Sequence, residues 1–286
     1  MNDRPNTKIF VDGGDPEESR RVRHALGYLD GQTTNQTLIS KNPGIQRRIQ
    51  AGEKLPLEEL LAEYRKIVET VSAMTPEGSV SIEVYADQDT TTEQMLAQGR
   101  EFFTWIPNAH VKFPTTTAGL GAAEQAVAEG MRVNLTLCFS QAQAAAVYAA
   151  TRGAKKGEVF VSPFVGRLDD RGEDGMSVVK DILKMYEAGD GHVEVLTASI
   201  RNPAHLDYAL ALGSDIITAP AEILLAWAEG GAAVPDAGYQ YDAGSLTPIP
   251  YQELDLDADW RSFDLHHDLT DAGIEKFSAD WNGLLK

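Results

Sequence analysis

The chain has 286 residues, with 25 Lys and Arg against 43 Asp and Glu, so its formal net charge is −18. Nucleic acids and anionic membranes bind basic faces, and so acidic a chain is not expected to offer one. One cysteine, Cys138, excludes an internal disulfide framework and a cysteine-rich zinc site.

The chain begins with a polar segment, residues 1–10, which lacks the apolar core of a signal peptide. No apolar run along the sequence approaches the ~20 residues that a helix needs to cross a bilayer. We therefore predict a cytoplasmic protein that has neither a membrane nor a nucleic acid as its partner.

Short apolar or β-branched runs alternate with helical patterns along the chain. The clearest helical pattern places apolar residues at three- and four-residue steps from Leu57 to Val71. Weaker helices are predicted at 17–29, 92–105, 121–129, 141–151, 176–187, 204–212 and 222–229. The predicted strands are 8–12, 31–38, 80–85, 110–114, 133–139, 158–164, 192–200 and 215–219.

This alternation is typical of a parallel sheet with right-handed crossovers. Eight predicted strands favour an α/β fold, the closed (β/α)₈ TIM barrel, as one domain over residues 1–230. A doubly wound open sheet is the alternative. Against it, no G-x-G-x-x-G segment follows the first predicted strand.

The alternating pattern ends near residue 230. Residues 231–286 are predicted to form an irregular acidic segment, most acidic within 251–264, followed by a helix over 271–285. The apolar face of that helix can pack on the barrel or on a partner subunit, so a homo-oligomer is possible. The spacing of Asp255, Asp257 and Asp259 is similar to a calcium loop, but Trp260 replaces the usual glycine, so we do not predict calcium binding.

Polar side chains lie at the ends of seven of the eight predicted strands. In a (β/α)₈ barrel the carboxyl ends of the strands meet on one face, and catalytic groups lie there. The side chains in question belong to Asp12, Asn35, Glu83, Lys112, Asn134, Thr136, Ser162, Arg167, Ser199 and Arg201.

Lys112 lies within an apolar strand, where burial of an ammonium group disfavours its charged form. An uncharged amine at the mouth of a barrel can attack a carbonyl carbon and form a Schiff base. Asp12 and Glu83 are carboxylates on the same predicted face, able to move protons for such a reaction. The structural alternative is an ion pair between Lys112 and one of these two carboxylates.

Arg167 and Arg201 follow the sixth and seventh predicted strands. Guanidinium groups bind phosphate through paired, charge-assisted hydrogen bonds, and Ser199 can add a hydroxyl donor. The alternative is that each arginine pairs with a local acid such as Asp169 or Asp170.

Five ordered segments carry a resemblance to a known family. Residues 30–39 read DGQTTNQTLI and residues 110–116 read HVKFPTT; NLTLCFS, SPFVGR and ASIRN follow at 134–140, 162–167 and 198–202. Together they resemble the transaldolase family of class I, Schiff-base aldolases. The resemblance extends from about Ile9 to Trp227.

The resemblance implies a role for each matching residue. Lys112 is the implied Schiff-base nucleophile, and Asp12 the acid/base at carbon–carbon cleavage. Glu83, acting through a water held by Thr136, is the implied proton shuttle for imine chemistry. The implied substrate-binding residues are Asn35, Asn134, Ser162 and Phe164 around the three-carbon unit, and Arg167, Ser199 and Arg201 around the phosphate.

The implied activity is transfer of a dihydroxyacetone unit from a ketose phosphate, sedoheptulose 7-phosphate or fructose 6-phosphate, to an aldose phosphate. This is a step of carbohydrate metabolism in the non-oxidative pentose phosphate pathway. Phosphorylated sugars are thus the implied partners. No metal or organic cofactor is expected, because the iminium itself accepts the electrons.

Three features leave alternatives open. Gln36 stands where the family usually has proline, and Phe164 matches the transferase branch, whereas the aldolase branch usually has tyrosine. The VKFPTT segment, however, is closer to the compact fructose-6-phosphate aldolases. One alternative is therefore a lyase that releases free dihydroxyacetone, and another is a sugar-phosphate-binding barrel without turnover.

Overall fold

The computed structural model describes residues 4–236 and 238–286. Eight parallel strands close into a barrel, with helices between them. The predicted (β/α)₈ fold is therefore confirmed, and the open doubly wound sheet is wrong. The barrel strands are β1 (Lys8–Asp12), β2 (Gly31–Thr33), β3 (Ser79–Glu83), β4 (Ala109–Pro114), β5 (Val133–Cys138), β6 (Val159–Pro163), β8 (Val193–Thr197) and β9 (Ile216–Ala219).

A separate two-stranded sheet pairs β7 (Glu173–Asp174) with β10 (Thr247–Pro248). The helices are α1 (Pro16–Leu26), α2 (Gln36–Ser40), α3 (Pro43–Gln50), α4 (Leu57–Met74), α5 (Thr92–Phe103), α6 (Thr117–Ala128), α7 (Gln141–Ala150), α8 (Val165–Asp169), α9 (Gly175–Tyr186), α10 (Pro203–Ala211), α11 (Ala221–Glu229) and α12 (Asp268–Asn282). Within the described residues, no helix is long and apolar enough to span a membrane.

The core lies between the barrel and its surrounding helices. Most of the apolar stripe predicted on α4 is buried there, including Leu60, Tyr64, Val68 and Val71, whereas Leu57 at its start is exposed. Full burial of an aliphatic side chain of this size contributes about 1.5–3 kcal/mol, so such stripes orient the helices on the barrel. The polar side chains at the carboxyl ends of the strands are thereby held on a rigid frame.

The predicted strand 31–38 is wrong beyond residue 33. The strand ends at Thr33, and Asn35 becomes the N-cap of α2, its Oδ1 accepting a hydrogen bond from the Leu38 N–H at 2.8 Å. An asparagine that satisfies a free helix N–H in this way favours a helix start over continued strand. The short helices α2, α3 and α8 were not predicted, because five to eight residues are too few for a periodicity to be recognised.

The C-terminal helix α12 covers part of the barrel mouth. It begins three residues before the predicted start, at a cap formed by His267, and packs against β5 and α2. The Thr270 hydroxyl on its first turn donates to the Leu137 carbonyl at 2.9 Å. The chain end is fixed to the body as well, since the Leu55 N–H donates to the Leu284 carbonyl at 2.9 Å. The division into domains at residue 230 stays a prediction.

Candidate active site

Three of the predicted site residues form one row across neighbouring strands. Glu83 on β3 is in register with Lys112 on β4, and Lys112 is in register with Asn134 on β5. All three are buried although their side chains are polar or charged. Polar groups in such a position need partners, and the barrel interior provides them.

Lys112 and Glu83 form a buried ion pair. The Lys112 Nζ lies 2.9 Å from the Glu83 Oε2, and their side chains are 3% and 4% exposed. The Nζ also donates to the Thr34 carbonyl at 3.2 Å. The structural alternative for Lys112, pairing with a carboxylate, is thus observed for Glu83, and it places an acid/base group in direct contact with the amine.

Burial is the largest influence on the pKa of the Glu83 carboxyl. It raises that pKa above its ordinary value, and the positive charge of Lys112 opposes the rise. A carboxylate with a raised pKa is a stronger base. Glu83 is therefore suited to take a proton from the ammonium group that it contacts.

Asp12 ends β1 beside this row. Its Oδ1 accepts a hydrogen bond from the Thr33 hydroxyl at 2.7 Å, and Thr33 in turn contacts the Thr218 hydroxyl at 2.6 Å. Burial raises the pKa of Asp12, and the charge of Lys112 again opposes the rise. The structure therefore places a second carboxyl of enhanced basicity within the field of the same lysine.

A network of polar side chains joins β3, β5 and β6 inside the barrel. The Ser162 hydroxyl donates to the Asn134 Oδ1 at 2.7 Å, and the Asn134 Nδ2 donates to the Ser81 Oγ at 3.0 Å. Ser81 was not predicted as a site residue. Its signal in the sequence is its spacing of two residues from Glu83 on β3, which places both on the same face of the strand.

Thr136 lies at an irregularity of β5. The register of β5 with β6 shifts between Leu135 and Cys138, and Leu137 has a φ of 56°. Positive φ is strained for leucine, and such strain is often found at functional sites. Within the described part of the chain, the buried Thr136 hydroxyl has no hydrogen-bond partner. An unpartnered buried hydroxyl here can hold a water or a substrate oxygen.

Arg167 lies near the barrel mouth between two aromatic rings. Its guanidinium carbon is 5.5 Å from the Phe164 ring centre and 5.2 Å from that of Phe277 on α12. It forms no ion pair with any of residues 4–236 or 238–286. The rings orient the guanidinium while leaving its N–H donors available to an anion.

Arg201 differs from Arg167 in being exposed and paired. Its guanidinium lies 3.1 Å from the Asp170 carboxylate, and both side chains are more than half exposed. An exposed pair of this kind contributes about 0–1 kcal/mol, so an incoming phosphate can displace it. The predicted alternative of pairing with a local acid therefore holds for Arg201 but not for Arg167.

Backbone geometry brings the two arginine-bearing segments together. Ser199 has a φ of 59°, and its carbonyl accepts a hydrogen bond from the Gly166 N–H at 3.0 Å. A Cβ at Gly166 would lie 2.6 Å from that carbonyl oxygen and would collide with the Arg201 side chain. Only glycine allows this close approach, which places Arg167, Ser199 and Arg201 on one surface.

The comparisons with known proteins give the family directly. Residues 9–286 match the family described as Transaldolase/Fructose-6-phosphate aldolase. A "Probable transaldolase" of Dehalococcoides mccartyi is 34% identical over 279 residues, covering 98% of this chain and 100% of that protein. One of Thermus thermophilus is 35% identical, covering 96% of this chain and 97% of that protein. The chain belongs to the transaldolase/fructose-6-phosphate aldolase family.

Similarity to solved structures is weaker. A 3-hexulose-6-phosphate synthase from Salmonella typhimurium is 11% identical with a TM-score of 0.44, over 78% of this chain and 98% of that one. At this level the similarity carries no functional argument. The family membership rests on the sequence matches, and it confirms the resemblance of the five ordered segments.

The structure also gives the contacts of Asn35 and the burial of Cys138. Asn35 uses its Oδ1 to cap α2, so its amide N–H groups are the donors that it can offer a ligand. Cys138 is buried, and burial raises the pKa of its thiol to about 12, as suits a structural cysteine. No three His, Cys, Asp or Glu side chains of the described residues are grouped to hold a metal ion. The absence of a cofactor stays a prediction.

A second concave region lies at the opposite end of the barrel. It is a cavity of about 630 Å³ near the amino ends of the strands, lined by residues that include Arg4, Lys8 and His110. Two of its cationic side chains form ion pairs: Arg4 contacts Asp30, and the Lys8 Nζ lies 3.0 Å from Glu194. The row of Glu83, Lys112 and Asn134 does not line this cavity.

Proposed function

We propose that this protein is a transaldolase that moves a dihydroxyacetone unit between sugar phosphates through a Schiff base on Lys112. The observation that carries the proposal is the contact of the buried Lys112 amine with a basic carboxylate, Glu83, beside a second carboxyl, Asp12. Two carboxyls with raised pKa values around one buried amine are the groups that imine formation and carbon–carbon cleavage require.

The first half of the reaction forms the imine. Glu83 takes a proton from the Lys112 ammonium group, and the free amine attacks the ketone carbon of the donor sugar. The carbinolamine then loses its hydroxyl as water, with the proton returned from Glu83, and an iminium remains. We assign the water of this step to the Thr136 hydroxyl, which is buried and has no hydrogen-bond partner within the described residues.

The second half breaks and remakes a carbon–carbon bond. Asp12 accepts the proton of the hydroxyl next to the bond that breaks, the aldehyde leaves, and the electron pair is held as an enamine. The enamine attacks the acceptor aldehyde, Asp12 returns the proton, and hydrolysis frees Lys112. Asn134 and Ser162, already hydrogen-bonded to each other, can bind the hydroxyl groups of the three-carbon unit.

The phosphate of donor and acceptor is assigned to Arg167, Ser199 and Arg201. The Arg167 guanidinium supports this assignment, because it is oriented by two rings and has no ion-pair partner in the described chain. In a protein of charge −18, such local cations are needed to attract a dianion. We place the enzyme in the cytoplasm, in the non-oxidative pentose phosphate pathway.

Borohydride reduction tests the Schiff base. The protein is incubated with fructose 6-phosphate, reduced, digested and mapped by mass spectrometry. We expect the modification on the peptide that contains Lys112. Modification of another lysine, or an unchanged polypeptide mass, would contradict the proposal.

The transferase and lyase outcomes differ in their need for an acceptor. Phe164 supports the transferase, because its ring packs between Arg167 and Phe139 and offers no hydroxyl to help release the three-carbon unit. We expect turnover of fructose 6-phosphate to depend on erythrose 4-phosphate. Acceptor-independent turnover would instead support a fructose-6-phosphate aldolase. Calorimetric binding of fructose 6-phosphate without either reaction would support a binding barrel.

A further inference from the structure

Gln36 makes a contact that the proline usual at this position of the family cannot make. Its side chain is buried, with 3% exposure, and its Nε2 donates to two successive carbonyls, those of Glu83 at 3.1 Å and Val84 at 2.8 Å. Both carbonyls lie at the carboxyl end of β3. The amide therefore fastens the start of α2 to the strand that carries Glu83.

This contact replaces a hydrogen bond that is missing between β2 and β3. The Thr34 N–H donates to the Ser81 carbonyl at 3.1 Å, so a continuing parallel ladder would pair the Gln36 N–H with the Glu83 carbonyl. The chain turns into α2 at Asn35 instead, and the Gln36 side chain supplies the donor. A buried carbonyl without a donor costs about 1–3 kcal/mol, so the strand end depends on this amide.

The backbone N–H of Glu83 has a partner as well. Its N–H donates to the Tyr64 hydroxyl at 3.0 Å, and Tyr64 belongs to α4. With the carbonyl bound by Gln36, both backbone polar groups of Glu83 are hydrogen-bonded. The Glu83 carboxylate lies 2.9 Å from the Lys112 Nζ.

We propose that Gln36 is a positioning residue for the reaction, holding the Glu83 backbone so that its carboxylate stays in contact with the Lys112 amine. This inference rests on the proposed Schiff-base function. The charged groups that face Glu83 are Lys112 from β4, Arg167 from α8 and Asp12 from β1. Loss of the Gln36 amide would move the Glu83 carboxylate away from Lys112. The charge of Lys112 is the largest of the charge effects that lower the pKa of Glu83.

The test is Gln36→Met, which keeps the length of the side chain and removes its donor. We expect kcat with fructose 6-phosphate and erythrose 4-phosphate to fall about three- to thirtyfold, because small displacements of a catalytic group are costly. KM should stay within about twofold, since Gln36 is not assigned to substrate contact. The acidic limb of the kcat–pH profile should move up by about one pH unit, the lower end of what a neighbouring charge produces.

The matched control is Gln46→Met. The Gln46 Nε2 also donates to a backbone carbonyl near α2, that of Ser40 at 2.6 Å, but it does not contact β3. We expect its pH profile to match the wild type. Equal effects of the two variants on kcat and pH profile would overturn the proposal, as would a wild-type profile in Gln36→Met.

A second variant and a prior measurement keep the outcomes distinct. Gln36→Pro fits the first position of a helix and also lacks the amide, so it provides the same readout if Gln36→Met does not fold. Borohydride trapping of the wild type is measured first. No trapping contradicts the proposed function itself, whereas normal trapping with an unshifted profile in the Gln36 variants contradicts only the positioning role.

Discussion

The contact between Lys112 and Glu83 leaves little freedom to either residue. Both side chains are almost fully buried, so removal of one leaves the other charged and unpaired in the barrel interior, at a cost of about 3–5 kcal/mol. Substitutions here alter folding and chemistry together. Variants that preserve charge therefore separate the two effects best.

Lys112→Arg keeps a positive charge beside Glu83 but removes the primary amine. We expect the chain to fold, borohydride trapping with fructose 6-phosphate to be abolished, and turnover to fall by more than about a thousandfold, as when a catalytic nucleophile is removed. Trapping is measured by peptide mass mapping and folding by circular dichroism.

The control for this substitution is Lys8→Arg at the amino end of β1, where the lysine pairs with Glu194. Its trapping should match that of the wild type. Normal turnover in Lys112→Arg would refute the assignment of Lys112 as the nucleophile.

Arg201→Ala removes one of the two guanidinium groups assigned to phosphate. We expect kcat/KM for fructose 6-phosphate to fall by the equivalent of about 1.5–3 kcal/mol, the contribution of a charged hydrogen bond. Steady-state kinetics with phosphorylated and unphosphorylated substrates measure this loss.

Arg100→Ala, on α5 and paired with Glu129, is the matched surface control and should leave kcat/KM unchanged. If Arg201→Ala lowers kcat/KM for free dihydroxyacetone as much as for the sugar phosphates, Arg201 does not bind the phosphate.

At the scale of secondary-structure elements, α12 determines the shape of the barrel mouth. The Thr270 hydroxyl donates a hydrogen bond to the carbonyl of Leu137, the residue with a positive φ, and the Phe277 ring contacts the Arg167 guanidinium. Because Leu137 follows Thr136 directly, the helix supports both the irregular end of β5 and the guanidinium proposed for phosphate. The terminal helix is thus part of the site's framework.

Gly273→Ala tests this packing. A Cβ at Gly273 would lie 2.6 Å from the Leu137 Cδ2 and 2.7 Å from the Arg167 Nη1, so α12 or Arg167 must move. We expect a loss of about 1–3 kcal/mol in the free energy of unfolding, typical of overpacking, and a higher KM for sugar phosphates. Urea denaturation and kinetics measure the two effects.

Gly230→Ala at the end of α11 is the matched control, since its Cβ would be 3.4 Å from the nearest carbonyl oxygen. Its stability should change by less than about 0.5 kcal/mol. If Gly273→Ala behaves like this control, α12 does not pack closely on the site.

At the scale of the whole molecule, the two ends of the barrel differ in their polar groups. The carboxyl end holds two residues of positive φ, Leu137 and Ser199, and two carboxyls with raised pKa values, Asp12 and Glu83. Within the described residues, the Thr136 hydroxyl there has no hydrogen-bond partner. At the amino end, the His110 ring stacks on Phe160 with centroids 4.0 Å apart. The ring accepts a hydrogen bond from the Ser79 hydroxyl at 2.7 Å and donates one to the Gly157 carbonyl at 3.0 Å. Burial, with a smaller effect from the charges of Arg132 and Lys8, lowers the pKa of His110 to about 3.

His110 therefore makes the protein acid-sensitive. Between an unfolded pKa near 6.5 and the folded value of about 3, the unfolded chain binds a proton that the native state excludes, so stability falls as pH falls. From this group alone we expect a loss of about 1.4 kcal/mol per pH unit in that range.

Unfolding in urea at pH 6, 5 and 4 measures the slope. His110→Gln should lower it by that amount, whereas His24→Gln, at an exposed position on α1, should not. Equal slopes in the wild type and His110→Gln would show that His110 is not buried in its neutral form.

Some of this architecture could be read from local pattern. The alternation of strands and helices predicted the barrel because each barrel strand is buried on both faces and most of the helices are buried mainly on one. Those two patterns are visible within a single segment of the sequence. Asp12, Glu83 and Lys112 could be identified together because the carboxyl ends of all barrel strands meet at one face. The predicted strand 31–38 failed because the side chain of Asn35 caps a helix, a local choice that hydrophobic pattern does not reveal.

The sequence alone thus determined the fold class, the family and the face on which the polar residues gather, since these depend on residue type and spacing. Only the tertiary structure decided which of those residues are partners: Lys112 with Glu83, Asn134 with Ser162 and Ser81, and Gln36 with the end of β3. These contacts join residues that are 28 to 53 positions apart in the chain. Their distances depend on strand register and barrel closure, which no single segment of the sequence contains.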